Sequence, residues 1–413
     1  MIRLKTPNVC LLILAVFGTV WAKVTTFSAP SGVPVSDRFK VRVDGMPVDV
    51  YAARVSVPQK YASWPAPLET KNVGFVIFDM NAPASLKVEV LGEAPRSAKI
   101  RPLSKSFPVS LQGAEVELRL EKPGNVILEL NGDNLDHLYL FANAPEKRKI
   151  DPKDPNVIYF GPGIHHPKKI IPERDNMTIY LAGGAVVKGA IYPLKVSNLT
   201  IAGRGILEGD FPERWYMVNP RNCAGFTLED IVILNSPSWT VRMENSKDIK
   251  IRNLREISYR QNCDGIDPYS CENVDIDGVF IRNFDDGVVV KAMSNGASRN
   301  IFTRRSIFIS DYGTALKVGR NETLGSPISD IFFKDCDVIS CGSDLGTGYD
   351  PTALGVFFNG PSQVSNVVFE NIRVEKSGVE ERSTILGSRF IFSWIANDNA
   401  YLKNVNPGSL RGV

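Results

Sequence analysis

Histidine is scarce in this chain: three residues in 413, His137, His165 and His166. No Cys-x-x-Cys pair accompanies them, so a zinc site has no ligand set to be built from, and no metal or cofactor is expected. Charge of one sign is also lacking. Lys and Arg number 48 against 45 Asp and Glu, and without residues 1–22 the count is 46 against 45. That balance argues against nucleic acid or an anionic membrane as partner, and it lends no support to a strongly acidic polymer as substrate. Beyond residue 22 no apolar run is long enough to span a bilayer.

Residues 1–22 stand apart. Arg3 and Lys5 precede the apolar run Val9–Phe17, and Val20-Trp21-Ala22 fits a small-residue cleavage site. This is the layout of a secretory signal peptide, a retained anchor being the alternative, and the mature protein is expected to be secreted, or periplasmic in a bacterium. Cys10 lies inside that run, which leaves Cys223, Cys263, Cys271, Cys336 and Cys341. Five is odd, so at least one thiol is free or pairs between molecules. Spacing alone implies neither Cys263/Cys271 nor Cys336/Cys341. Asn176, Asn198 and Asn321 head glycosylation sequons, meaningful only in a eukaryote.

Residues 23–150 read as short strands broken by Pro and Gly turns, among them Phe39–Val43, Val73–Phe78, Leu86–Val90, Glu115–Leu120 and Asn125–Leu130. Their near-alternation of apolar and polar residues suggests a β-sandwich, structural or positioning in role, with carbohydrate binding as a lesser option. The charged stretch 144–156, with Pro145, Pro152 and Pro155, is linker-like. From residue 151 the pattern changes. An Asn or Asp followed by alternating apolar residues recurs at Asn198, Asp248, Asn273, Asn300, Asp330 and Asn366, and from Asp248 onward the starts lie 25, 27, 30 and 36 residues apart. Strands at such a period, without a helical stripe, point to a right-handed parallel β-helix over 151–413. The corner Asn and Asp suit turns and side-chain ladders, which accounts for Asp275, Asp277, Asp330, Asp335 and Asp337 without catalysis. After Ser377 the repeat fades with no evident cap, a truncated C-terminus being one reading of that and an uncapped end the other.

One acidic group resists that explanation. Asp264, in Asn262-Cys-Asp-Gly-Ile-Asp267, precedes Asp285 and Asp286 by 21 and 22 residues, about one coil, which stacks the three carboxylates ~4.8 Å apart. For Asp285 and Asp286 to share a groove the chain must bend between them, with Gly287 helping. Three crowded carboxylates cannot all ionise cheaply, so one should hold a proton near neutral pH. Glycoside hydrolysis needs that mixture, an acid beside a carboxylate that activates water. A solvated turn and a calcium site are the competing readings. Lys291 is near enough to serve as counter-charge or sugar-hydroxyl donor.

Ser236-Pro-Ser-Trp-Thr240, Asn262–Asp267 and Asp285-Asp-Gly-Val-Val-Val-Lys291 together resemble the polygalacturonase-type β-helix glycoside hydrolases. The dextranase and isopullulanase family, with a β-sandwich ahead of the helix, is similar in layout. The resemblance implies an inverting hydrolase with Asp264, Asp285 and Asp286 catalytic, the general acid being Asp285 or Asp286. Asn262, Asp267, Tyr269, Lys291 and Lys317 are the expected substrate contacts, Lys317 being either a replacement cation or a surface lysine. Tyr269 and Trp239 could stack on a sugar, Trp239 equally on the core. Two features depart from the family. Thr314 stands where a Gly-His-Gly histidine would be, and Ala353–Phe358 lacks the cations of the uronate-gripping Arg-Ile-Lys motif. The expected substrate is therefore a neutral or non-pectin polysaccharide. A calcium-dependent polysaccharide lyase and a non-catalytic glycan-binding protein are the alternatives.

Overall fold

The corner residues of the repeat set the architecture. Asn198, Asp248, Asn273, Asn300, Asp330 and Asn366 all adopt the left-handed backbone, with φ between 53° and 59°, a conformation Asn and Asp tolerate better than other side chains. Their side chains then bond coil to coil. The Asn273 amide donates to Asp248 Oδ1 at 2.9 Å, Asn300 to Asn273 at 3.1 Å and Asn366 to Asp330 at 2.8 Å.

The computed structural model describes residues 24–57, 68–292, 296–319, 326–341, 352–357 and 363–375. It also gives the backbone of three later strands, Phe392–Ile395, Tyr401–Asn406 and Leu410–Gly412. The leader-like residues 1–22, the Asn321 sequon and Phe358 lie outside the described residues. Among the described residues there is no α-helix.

From Val157 onward the chain winds through three parallel sheets of ten, ten and six strands, a parallel β-helix. Equivalent inward residues stack in register, as in Ile249, Val274, Ile301, Ile331 and Val367, each at most 1% exposed. Full burial of such side chains is worth ~1.5–3 kcal/mol each. The continuous core holds the coils together.

Residues 24–143 form two further sheets, one of six strands and one of five. The Phe39–Val43 and Ala84–Val90 strands alternate buried and exposed without a break. Their inner residues, such as Val41, Leu86 and Val88, share one core with Val76, Leu128 and Leu140 of the six-stranded sheet. The opposite face of that sheet is apolar too, and Tyr51, Phe75, Tyr139 and Phe141 pack onto Val186, Val232, Phe280 and Ile307 from the second sheet of the helix.

That interface carries buried polar pairs. Arg255, fully buried, donates from Nε to Asn125 Oδ1 at 3.0 Å and also bonds Asn143. Arg282 pairs with Asp311 at 2.9 Å, and Ser56 of the N-terminal sheet donates to the same aspartate at 2.5 Å. All five cysteines after Cys10 are buried and free. The pairings Cys263/Cys271 and Cys336/Cys341 do not form.

Candidate active site

The acids sit where the chain passes from the second helix sheet to the third. Between Phe280–Asn283 and Val288–Val290 the strand is interrupted by a bend holding Asp285 and Asp286. The Asn283 side-chain amide pins this bend by donating to the carbonyls of Cys263 and Asp286, both at 2.8 Å. The Asp286 amide closes onto Asp285 Oδ1 at 2.9 Å, and Ser310 Oγ holds the Asp285 carbonyl at 2.5 Å. In the previous coil the Gly265 amide donates to the Asp286 carbonyl at 2.8 Å, which sets Asp264 directly against Asp286. A Cβ at Gly265 would fall 2.5 Å from the Gly287 carbonyl, and one at Gly287 2.4 Å from that of Ala315. Only glycine lets the coils approach this closely.

Each outer acid has its own lysine. Lys291 Nζ lies 2.9 Å from Asp264 Oδ2 and 2.6 Å from Asp267 Oδ1, while Lys317 Nζ lies 2.5 Å from Asp286 Oδ2. Asp286 Oδ1 also accepts the Thr314 amide at 2.7 Å. Among the described residues no ion pair reaches Asp285. Burial, with the neighbouring charges of Asp264 and Asp286, raises its carboxyl well above the usual range. Burial raises Asp264 as well, against the pull of Lys291. For Lys291 itself, burial works to lower the pKa, but Asp264 and Asp267 outweigh it and the ammonium is stabilised. Among the described residues no group of three or more acidic, His or Cys side chains is arranged to hold a metal ion.

The remaining expected contacts divide. Asn262 and Tyr269 are half-buried beside the acids, Asn262 with φ 56°. Asp267 is 0% exposed beneath Lys291, and its Oδ1 accepts from that ammonium at 2.6 Å. Lys317 is no surface lysine either, being 2% exposed against Asp286. The Trp239 ring carries the Lys291 ammonium 3.5 Å from its centroid and meets Tyr269 edge-on at 6.4 Å. One face of the indole is thereby occupied.

Two residues of the site escaped the sequence reading. Asn283 reads as an ordinary strand-end Asn until the bend is seen. Glu256 lies in the row Leu207, Ile233, Glu256, Ile281, Phe308, where every other member is apolar. It is fully buried, accepts from Thr240 Oγ1 at 2.6 Å, and burial raises its carboxyl well above the usual range. Thr240 in turn donates its amide to the Asp264 carbonyl at 2.7 Å. Aligning Arg255-Glu256-Ile257 with Val232-Ile233-Leu234 of the preceding coil would have exposed the misfit.

Residues 190–385 match the family model of glycosyl hydrolases family 28. A probable polygalacturonase of Vitis vinifera is 29% identical over 142 residues, 32% of this chain and 28% of that protein. An endo-polygalacturonase of Pectobacterium parmentieri is 32% identical over 152 residues, 36% of each chain. The chain thus spans about a third of the curated relatives it matches. The solved structure of Dex49A from Penicillium minioluteum superposes with a TM-score of 0.61 at 14% identity, covering 93% of this chain and 90% of that one. Residues 190–385, then, are similar to the glycosyl hydrolases family 28, and the chain shares its fold with Dex49A.

Proposed function

We propose that the protein is an exported glycoside hydrolase that cleaves a neutral polysaccharide with inversion, its β-helix (151–413) catalytic and its N-terminal sheets (23–150) supporting. The observation that carries the reading is the unequal pairing of the three acids. Asp264 and Asp286 each pair with an ammonium group, and among the described residues no ion pair reaches Asp285. Asp285 is therefore the general acid that protonates the leaving glycosidic oxygen. Asp264 and Asp286 hold a water and take its proton as it attacks the anomeric carbon from the opposite side.

The same lysines support the neutral substrate. Lys317 and Lys291 are counter-ions of the aspartates, so neither is left over to grip a uronate. In the next coil the residue paired with Lys317 is Gly355, which has no side chain to offer. A uronate without a cationic partner would be poorly held.

The test is a reducing-sugar screen of the mature protein, from Lys23, against neutral polysaccharides and polygalacturonate, with Asp285→Asn alongside and the anomer followed by NMR. Release of the inverted anomer from a neutral glycan by wild type alone supports the reading. Release from polygalacturonate overturns the substrate class. An unsaturated, ultraviolet-absorbing product sensitive to chelator means a lyase, and binding without turnover means a glycan-binding protein.

A further inference from the structure

A cavity lies along the seam between the N-terminal sheets and the β-helix. It is a crevice of about 290 Å³, with Tyr51, Arg54 and Asn72 on one wall and Lys188, Glu208 and Asn235 on the other. Val33, Pro34, Val186 and Leu234 supply apolar surface between the polar groups. Its size is close to the lower end of small-molecule sites, ~300 Å³, room for one ring and not for a chain.

The floor is unusual for a seam between packed parts. Asn235 is 8% exposed, and its Nδ2 donates to Glu208 Oε1 at 2.7 Å, yet its Oδ1 is buried and has no partner. A buried acceptor left unmatched is costly, and a hydroxyl donor from a ligand would remove that cost. Glu208, 9% exposed, accepts the same amide and the Asp210 backbone N–H at 3.2 Å. Arg54 reaches across the seam to Asp210 at 2.9 Å and lies 4.5 Å over the Tyr259 ring. Two bases and two acids line the crevice, so it offers no net charge to an ion.

The crevice is also tied to the coil that carries Asp264. Asp210 pairs with Arg260 at 2.8 Å, four residues before Asp264, and Asn235 donates its amide to Ile257, on the coil that leads to Asp264.

We infer that this seam is a binding site for one neutral sugar residue, a distal hold on the polysaccharide to which both parts of the chain contribute. The inference rests on the glycan reading above and deepens it. Hydroxyl groups donate to Asn235 Oδ1 and Glu208, beside which Lys188 donates to a ring or hydroxyl oxygen, while Arg54 donates from the opposite wall. A chain gripped here extends toward Asp285, and the N-terminal sheets thereby take part in substrate binding.

Calorimetric titration of full-length Asp285→Asn with D-glucose, D-galactose and sodium D-galacturonate tests the site without turnover. The expected result is saturable binding of a neutral hexose, weakened about tenfold by adding Arg54→Ala, which removes a charge-assisted donor. Lys188→Gln, on the other part of the chain, should weaken it similarly, and serves if Arg54→Ala disturbs folding. In the otherwise wild-type protein Arg54→Ala should raise KM for the cleaved polymer and leave kcat unchanged. No hexose binding, binding indifferent to both substitutions, or preference for galacturonate overturns the inference. Hexose binding at the seam with no hydrolysis of any polymer would leave the seam site standing and remove only the hydrolase reading.

Discussion

Lys291 and Trp239 form one unit: the ammonium lies 3.5 Å from the indole centroid and bonds Asp264 and Asp267 from there. The tryptophan thus fixes a lysine that fixes an aspartate. A cation over an indole is worth ~0.5–2 kcal/mol. Trp239→Phe should keep most activity, whereas Trp239→Ala should lower kcat about tenfold with little change in KM. Steady-state kinetics on the cleaved glycan separates this from sugar stacking, in which KM would carry the loss.

Lys291→Met should lower kcat and move the acid limb of the pH profile upward. Burial already raises Asp264, and the lysine is what opposes the rise. Without it the carboxyl holds its proton to higher pH, so the base appears later as pH increases. A pH–kcat profile whose acid limb stays where wild type has it would show that Asp264 is not the base.

Asp285→Asn should reduce kcat by about a thousandfold on glycans, within the ~10²–10⁴ range of general acid catalysis. The raised carboxyl must be protonated to act, so wild-type activity falls on the alkaline side as that proton leaves. The alkaline limb should vanish in the residual activity of the variant. An aryl glycoside with a good leaving group needs less protonation and should lose less.

Glu256 predicts a stability effect that runs with pH. Its folded carboxyl is raised well above the ordinary 4.5, so the native state holds a proton the unfolded chain releases. Stability is therefore greatest below the unfolded value and declines as pH climbs from there toward the folded one. Thermal melts of Glu256→Gln should show a smaller decline in Tm between pH 4 and pH 7 than wild type. Glu256→Leu should remove the decline but strand Thr240 Oγ1, and kcat should drop through the Thr240–Asp264 link.

Much of this architecture could be read before any coordinates. The corner Asn and Asp, spaced by one coil, announced the β-helix because only a stacked repeat gives those residues the same job in each turn. The 22-residue interval put Asp264 on Asp286 for the same reason. What stayed hidden depends on which way a side chain points. That Asp267 and Lys317 pair with other members of the cluster is set by strand register, which residue type alone does not reveal. Glu256 was invisible because a charged residue in a strand reads as outward-facing, and a buried neutral carboxyl breaks that rule.

Arg255 lies where the two parts of the chain meet, 0% exposed, with a guanidinium that burial lowers to about 9. Two of its donors end on Asn125 and Asn143, so the helix carries a cation whose coordination is completed by another segment. The β-helix is for that reason not an interchangeable cassette. Grafting it onto a different N-terminal module would leave a covered arginine with only the Asp230 carbonyl of its three acceptors. Any such chimera has to bring the two asparagines with it or replace the arginine.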